Sequence, residues 1–435
     1  MRRIFIIVLI LTPSAQASAQ QPVSDPSHAA HASATLFPPR DTSGTAWLPD
    51  FSPMYGVHRQ AGGWELMLHG NLFAQYLFES GEEHRRSEQA GSINWVMGMA
   101  RRPLGKARLG LRAMGSVEPW TISGCGYPDL LATGEVCGGD TIHDRQHPHD
   151  LFMELAVEYD RPFVRALRWQ IYAGLAGEPA LGPPAFPHRL SAFANPIASI
   201  THHWFDSTHI TFGVVTLGVY GQRWKAEGSA FNGREPDPQR TDLDLAALDS
   251  VSGRLSFAPG DRVAVQVSAA HLQEAEAGVG SLPPTDVTRI TASGIYHRPF
   301  AAGSGVWATT LAYGVNSELT HIPGDDFLRQ TTHAVLLESS ATIRDRHTWF
   351  GRLDVVGKPA HDLHVHEFIA LVFTVGKLQA GYVRHLKQWN GLVAGVGASV
   401  STSFVAQLLA PRYGGRLAPG FGVFFNLRPA QHATR

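Results

Sequence analysis

The chain has 435 residues, a formal charge of -1, 44% hydrophobic and 10% aromatic residues, and only 17% charged residues. That balance excludes a nucleic-acid binder driven by net positive charge, an acidic disordered chain and a low-complexity fibre. Length leaves the domain count open, because barrels run past about 150 residues as single units.

Arg2 and Arg3 precede the apolar run Ile4 to Leu11, and Ala17-Ser18-Ala19 has the small-x-small form that a signal peptidase needs. Residues 1–19 therefore read as a cleaved export signal, with the mature chain starting near Gln20. That run is too short to cross a bilayer as a helix, and no later window reaches about 18 uncharged apolar residues. A helical membrane protein is excluded. Residues 20–63, rich in Ser, Ala, Pro and His and without a sustained period, read as an exposed or loosely docked arm.

From Trp64 the texture changes. Trp64, Leu66, Leu68, Leu72, Ala74, Tyr76 and Phe78 alternate with Glu65, Met67, His69, Asn71, Phe73, Gln75 and Leu77, a period of two held over a stretch long enough for a tilted membrane-spanning strand. The pattern returns with Leu109 and Leu111 against Arg108 and Arg112, Met153 and Leu155 against Glu154 and Glu158, Trp224 and Ala226 against Arg223, Lys225 and Glu227, and Trp349, Leu353 and Val355 against Arg352 and Asp354. Ile93, Trp95, Met97 and Met99 alternate with Asn94, Gly98 and Ala100. Charge falls on one face only. Sixteen segments follow, at about 64–78, 91–101, 107–118, 150–160, 166–175, 207–219, 222–231, 250–258, 262–273, 286–298, 305–318, 331–342, 347–357, 368–386, 391–403 and 419–428. The stretch 368–386 reads as one long strand or as a hairpin turning at Gly376-Lys377.

Short links such as Arg102 to Lys106 and Ile343 to Arg346 alternate with long ones near 119–149, 177–206, 232–248, 274–284, 319–330 and 358–366. Tight turns at one rim and long loops at the other build a closed antiparallel transmembrane β-barrel, and an even strand number returns both ends to one side. The expected partner is the lipid bilayer of a bacterial outer membrane. A secreted β-sandwich is the competing fold, but it has little use for so many long strands. It has equally little use for aromatic side chains placed as Trp64, Tyr76, Phe78, Trp95, Trp120, Tyr159, Trp169, Trp204 and Trp349 are, which suits two membrane interfaces. Cys125 and Cys137, the two cysteines of an exported chain, are expected to close one loop disulfide.

The export signal, the dyad strands, the loop alternation and the final run Gly420-Phe421-Gly422-Val423-Phe424-Phe425-Asn426-Leu427-Arg428 together resemble a bacterial outer-membrane β-barrel of the porin-like kind, over residues 64–428. Members of that family usually finish on an aromatic residue, whereas here Pro429 to Arg435 follow as a short tail at 429–435. The passage Gly139 to Leu155 is similar to one in uncharacterised exported proteins of Gram-negative bacteria, a likeness that carries no function. The expected function is a channel for small polar solutes, with metal ions or their complexes collected by the histidine-rich loops as candidate solutes and a homo-oligomer as the candidate assembly.

The lumen face contains both signs of charge. Arg108, Arg112, Glu154, Arg352 and Asp354 are expected as wall residues, because Lys or Arg at mid-bilayer on the lipid face costs about 2 to 4 kcal/mol. Glu65, His69, Gln75, Glu118, Glu158, Arg223, Lys225, Glu227, Arg254, Arg289, Lys377 and His385 belong to the same inward set. Such a wall lines an aqueous pore or forms a neutralised polar plug.

The chain's 22 histidines gather in clusters. His143, His147 and His149 near Asp144 and Asp150, and His361, His364 and His366 near Asp362 and Glu367, are candidate Zn²⁺ or Cu²⁺ ligands, since imidazole with carboxylate suits those ions. The competing reading makes His147-Pro148-His149 a hydrogen-bonded loop anchor. His202, His203, Asp206, Ser207 and His209 form a further group. They are the nearest approach to a hydrolase constellation, but G-x-S-x-G, HExxH and a P-loop are all missing, and a non-enzymatic protein is expected. A narrow plugged barrel, serving as a surface binding protein or a lipid- or ester-modifying enzyme, is the alternative.

Overall fold

The computed structural model describes residues 40–431 except 83–84, 123, 133–134, 165, 208–209, 279–282, 301–303, 323–325 and 369. The export-signal segment, residues 20–39 of the N-terminal arm and His209 lie outside these residues. Sixteen antiparallel strands correspond one to one with the sixteen segments expected. They are β1 Trp64–Glu79, β2 Ser87–Leu104, β3 Ala107–Gly115, β4 Phe152–Val164, β5 Leu167–Gly177, β6 Thr211–Tyr220, β7 Trp224–Phe231 and β8 Ser250–Gly260. The second half comprises β9 Val263–Glu276, β10 Thr285–Phe300, β11 Gly305–Ile322, β12 Asp326–Ile343, β13 His347–Pro359, β14 Val372–His385, β15 Leu392–Phe404 and β16 Leu417–Pro429.

Each strand pairs with the next, and β16 returns to β1 in the register Leu72↔Leu427 to Glu79↔Gly420. The sheet is closed, so no edge is left unpaired. The stretch around Gly376 is one strand, because Asp354↔Lys377 and Val355↔Gly376 hold it against β13. The rim segments expected as a loop near 319–330 instead extend β11 and β12 as a hairpin, with Ile322 opposite Asp326.

Alternation decides which face is wet. In β9 Val265 and Val267 are exposed while Gln266 and Ser268 are buried, and in β8 Leu255 and Phe257 are exposed while Arg254 and Ser256 are buried. A sheet with its apolar side chains outside and its charges inside is the inverse of a water-soluble barrel.

The inner face of β2 departs from this. Ile93, Trp95, Met97 and Met99 point inward, where Trp95 meets His188 and Phe193 at ring separations of 4.9 and 6.3 Å. Trp204 is likewise inside. Both had been expected at the membrane interfaces. The physical reason is that this lumen is filled with protein, so part of its wall is a packed core rather than a water-lined surface.

Filling comes from segments the sequence reading leaves as exposed arm or outer loops. Residues 40–48 of the arm run inside the barrel, with Ser43, Thr45 and Ala46 at most 2% exposed, which corrects the expectation of a loose arm. The arm then pairs as a short strand, Val57–Ala61, with the start of β1 through the turn Gly62-Gly63, where φ of 57° and 79° suits glycine. The 178–210 loop between β5 and β6 also turns inward, and Ile200, Trp204 and Phe205 pack with Leu130, Leu131, Leu363 and Leu409 of other loops in one buried cluster.

Candidate functional site

The wall cations that alternation sends inward are the anchors of the arm. Arg112 donates to the carbonyls of Thr42 and Gly44 and to Glu158 at 2.6 Å. Glu154 accepts from the Gly44 amide at 3.1 Å and from the Tyr172 hydroxyl at 2.7 Å. Lys225 donates to Asp41 at 2.9 Å and to the Thr45 carbonyl, and Arg254 to Thr45 Oγ1 at 2.9 Å. Fixed positive charge on β3, β7 and β8 therefore satisfies backbone carbonyls that have no sheet partner.

The 178–210 loop is held in the same way by the opposite wall. Ser229 of β7 accepts from the Ala180 amide at 2.7 Å and Ser268 of β9 from the Gly182 amide at 2.9 Å. Arg189 forms a bidentate pair with Glu338 of β12, at 2.5 and 3.2 Å. Asn195 donates to Gln379 of β14 at 2.7 Å, Thr201 to Asp354 at 2.6 Å, and Trp204 Nε1 to Thr332 at 2.9 Å. Arg352 donates to the Ile197 carbonyl at 2.6 Å, and Arg289 to the carbonyls of Asp206 and Ser207. The loop is thus tied across the lumen to β7 and to β9 through β14.

Between arm, loop and the β3–β5 wall lies a cavity of about 690 Å³ counted with its open mouth, lined by Met114, Met153, Leu181 and Phe186 and by the polar Glu154, Glu178, His188 and Asp206. Glu154 Oε2, His188 Nε2 and Asp206 Oδ1 are buried here without a hydrogen-bond partner among the described residues. Burial pushes the Glu178 carboxyl up to about 7 and that of Asp206 up to about 6, and holds the His188 imidazole well below its ordinary value. The cavity thus offers acceptors and apolar surface, with a proton inventory that changes near neutral pH.

The five expected wall residues all belong to strands and face inward, and the fold brings four of them into pairs: Arg112 with Glu154 at 3.6 Å and Arg352 with Asp354 at 3.4 Å. Arg108 stands apart, bonded to Asp160 and to the Tyr220 hydroxyl near the short-turn rim. Of the wider inward set, Glu65 is exposed and Arg223 pairs with Asp261 at 3.0 Å on the exposed rim, while Glu118 sits in a short helix, Glu118–Thr121, rather than at the end of a strand.

The histidine clusters separate. His143 faces His364, with Nδ1 atoms 3.2 Å apart; His147 accepts from Arg240 at 2.9 Å; His149 bonds Glu118 at 2.9 Å through its ring, and its amide bonds the same carboxylate. His143, His147 and His149 thus turn to three different partners, and the last two act as loop anchors. His361 lies 3.2 Å from Asp362, and the side chain of His366 lies outside the described residues. Ser207 pairs with Thr211 at 2.6 Å and His202 Nδ1 with the Ser199 carbonyl at 2.6 Å. Cys125 and Cys137 are disulfide-bonded, beside the small hairpin of Glu135–Cys137 with Asp140–Ile142.

Glu178, His188 and the arm residues Asp41 to Thr45 were missed by sequence reasoning. No periodicity marks a loop that folds inward. Glu318 was also missed, although its parity with the inward Asn316 could have found it.

No family model matches the chain, and no curated protein matches it. Similar solved structures are bacterial outer-membrane porins and channels. An anion-selective porin from Comamonas acidovorans is 11% identical, covering 84% of this chain and 99% of its own with a TM-score of 0.48. The outer membrane channel DcaP of Acinetobacter baumannii is 9% identical over 86% and 100%, with a TM-score of 0.46. OprB of Pseudomonas putida, in a high-pH structure, is 8% identical over 84% and 94%, with a TM-score of 0.49. The barrel itself rests on its own strand pairing.

Proposed function

We propose that this barrel is a bacterial outer-membrane channel for small polar solutes, whose lumen is narrowed by the N-terminal arm and the 178–210 loop to a constricted path through the cavity at Glu154, Glu178 and Asp206. The observation that carries it is the inversion of the sheet, apolar outside and charged within, around an interior that still holds an open-mouthed cavity lined by Glu154, Glu178 and Asp206. Three carboxylates at that cavity favour cations over anions, even with Arg112 close by.

The density of the filling supports a second reading, a barrel that holds its solute at the cavity rather than passing it. Planar-bilayer recording separates the two. The channel reading expects discrete openings of small conductance with a cation-directed reversal potential in a salt gradient, and larger openings once residues 40–47 are deleted. Correctly inserted protein that is silent with and without those residues would leave only the holding role.

A further inference from the structure

Three side chains far apart in sequence meet at the long-loop rim. Glu276 ends β9, Glu318 lies near the end of β11, and His361 follows β13. One oxygen from each carboxylate and one ring nitrogen all lie within 4.8 Å of one another. His361 Nε2 is 3.9 Å from Glu276 Oε2. Glu318 is 2% exposed, and its Oε2 is buried without a hydrogen-bond partner among the described residues. Arg289, the guanidinium on the neighbouring strand, is engaged elsewhere, with Asn316 Oδ1 at 2.8 Å and with the carbonyls of Asp206 and Ser207. A carboxylate withdrawn from water beside a second carboxylate is unfavourable as the anion unless a cation meets it, and otherwise it takes up a proton.

We infer that Glu276, Glu318 and His361 form a site for a divalent transition-metal ion of the Zn²⁺ class, clipping the loop after β13 to the barrel wall. Two carboxylates and one imidazole make a borderline donor set, better suited to Zn²⁺ and its neighbours than to Ca²⁺, which takes six or more oxygens. Donors each about 2.1 Å from one ion at tetrahedral angles stand about 3.4 Å apart. The 3.9 Å pair has to close by roughly half an ångström to reach that span. Asp362, 3.2 Å from the same ring nitrogen, adds a further carboxylate beside the site, so the ion takes a proton's place there. Three protein donors leave a fourth position for water or a solute ligand. This is not the all-histidine arrangement that sequence spacing suggested: only His361 belongs to it, and the carboxylates come from β9 and β11. The site does not depend on solute passage.

The test uses the full chain, purified in detergent, stripped with chelator and titrated with Zn²⁺ alone, read by calorimetry and by elemental analysis after desalting. The expected result is one tight equivalent per barrel that Glu318→Gln and His361→Ala each weaken at least tenfold, with His147→Ala leaving it unchanged. Circular dichroism establishes that each variant is folded. His361, with a side chain 31% exposed, is the substitution least able to disturb folding. Folded wild type and His361→Ala with the same stoichiometry and affinity would overturn the site, whatever the conductance of either.

Discussion

Gly182 carries a constraint that no other residue meets. Its φ is +67°, and a Cβ built there would stand 1.5 Å from the Phe205 carbonyl oxygen, so Gly182→Ala strains the backbone and pushes two limbs of the inward loop apart. The expected outcome is an assembled barrel whose 178–210 loop becomes open to protease, with larger unitary conductance. The Arg189–Glu338 pair is buried on both sides, and removing one partner leaves a charge without compensation, at a cost of about 3 to 5 kcal/mol. Arg189→Met should therefore unseat the loop more than Arg189→Met with Glu338→Leu, measured by protease protection. Protonation acts at the same scale. Burial raises the Glu178 and Asp206 carboxyls to about 7 and about 6. Their neutral forms favour the seated loop, a contribution present at acid pH and lost as pH rises through those values. Cation preference should run the other way, growing between pH 5 and 8, and Glu178→Gln should flatten the upper part of that change in reversal potential.

Strands and loops answer to different forces here. The sixteen strands were legible because an apolar outer face and a polar inner one impose a two-residue period, which β8 shows from Ser250 to Ala258 and β9 from Ala264 to Leu272. β2 was legible as a strand but not by face, since the partners of Trp95, Met97 and Met99 are loop side chains that no periodicity reveals. The disulfide belongs to the loop between β3 and β4, where closing so short a segment removes about 3 kcal/mol of chain entropy. Cys125→Ser with Cys137→Ser should leave the barrel's thermal transition in place while the 116–151 loop loses protease protection. The histidines of that loop show the limit of spacing as a guide. His147 and His149 are two residues apart but reach Arg240 and Glu118, because each ring takes the charged partner that the fold brings beside it.

The whole molecule is governed by the solvent inversion across its sheet. Leu255 lies mid-strand on the outer face and Phe163 near the end of β4, 59% and 67% exposed. Leu255→Arg should destabilise the inserted barrel by about 2 to 4 kcal/mol and Phe163→Arg by about 1 or less, since the penalty falls with distance from the bilayer centre. Equal effects in a lipid-based unfolding titration would mean that the outer band does not meet hydrocarbon. Residue order along the chain was enough to determine the strands, their number, the side each turns to lipid in most cases and the pairing of the two cysteines, because each follows from alternation or short-range closure. The tertiary structure alone decided what occupies the lumen. Arg112, Lys225 and Arg254 hold an arm that had seemed loose, and Glu276, Glu318 and His361 meet from two strands and a loop. Closing the sheet creates those neighbours, and polar groups enclosed by it must find partners across sequence distances that no local pattern records.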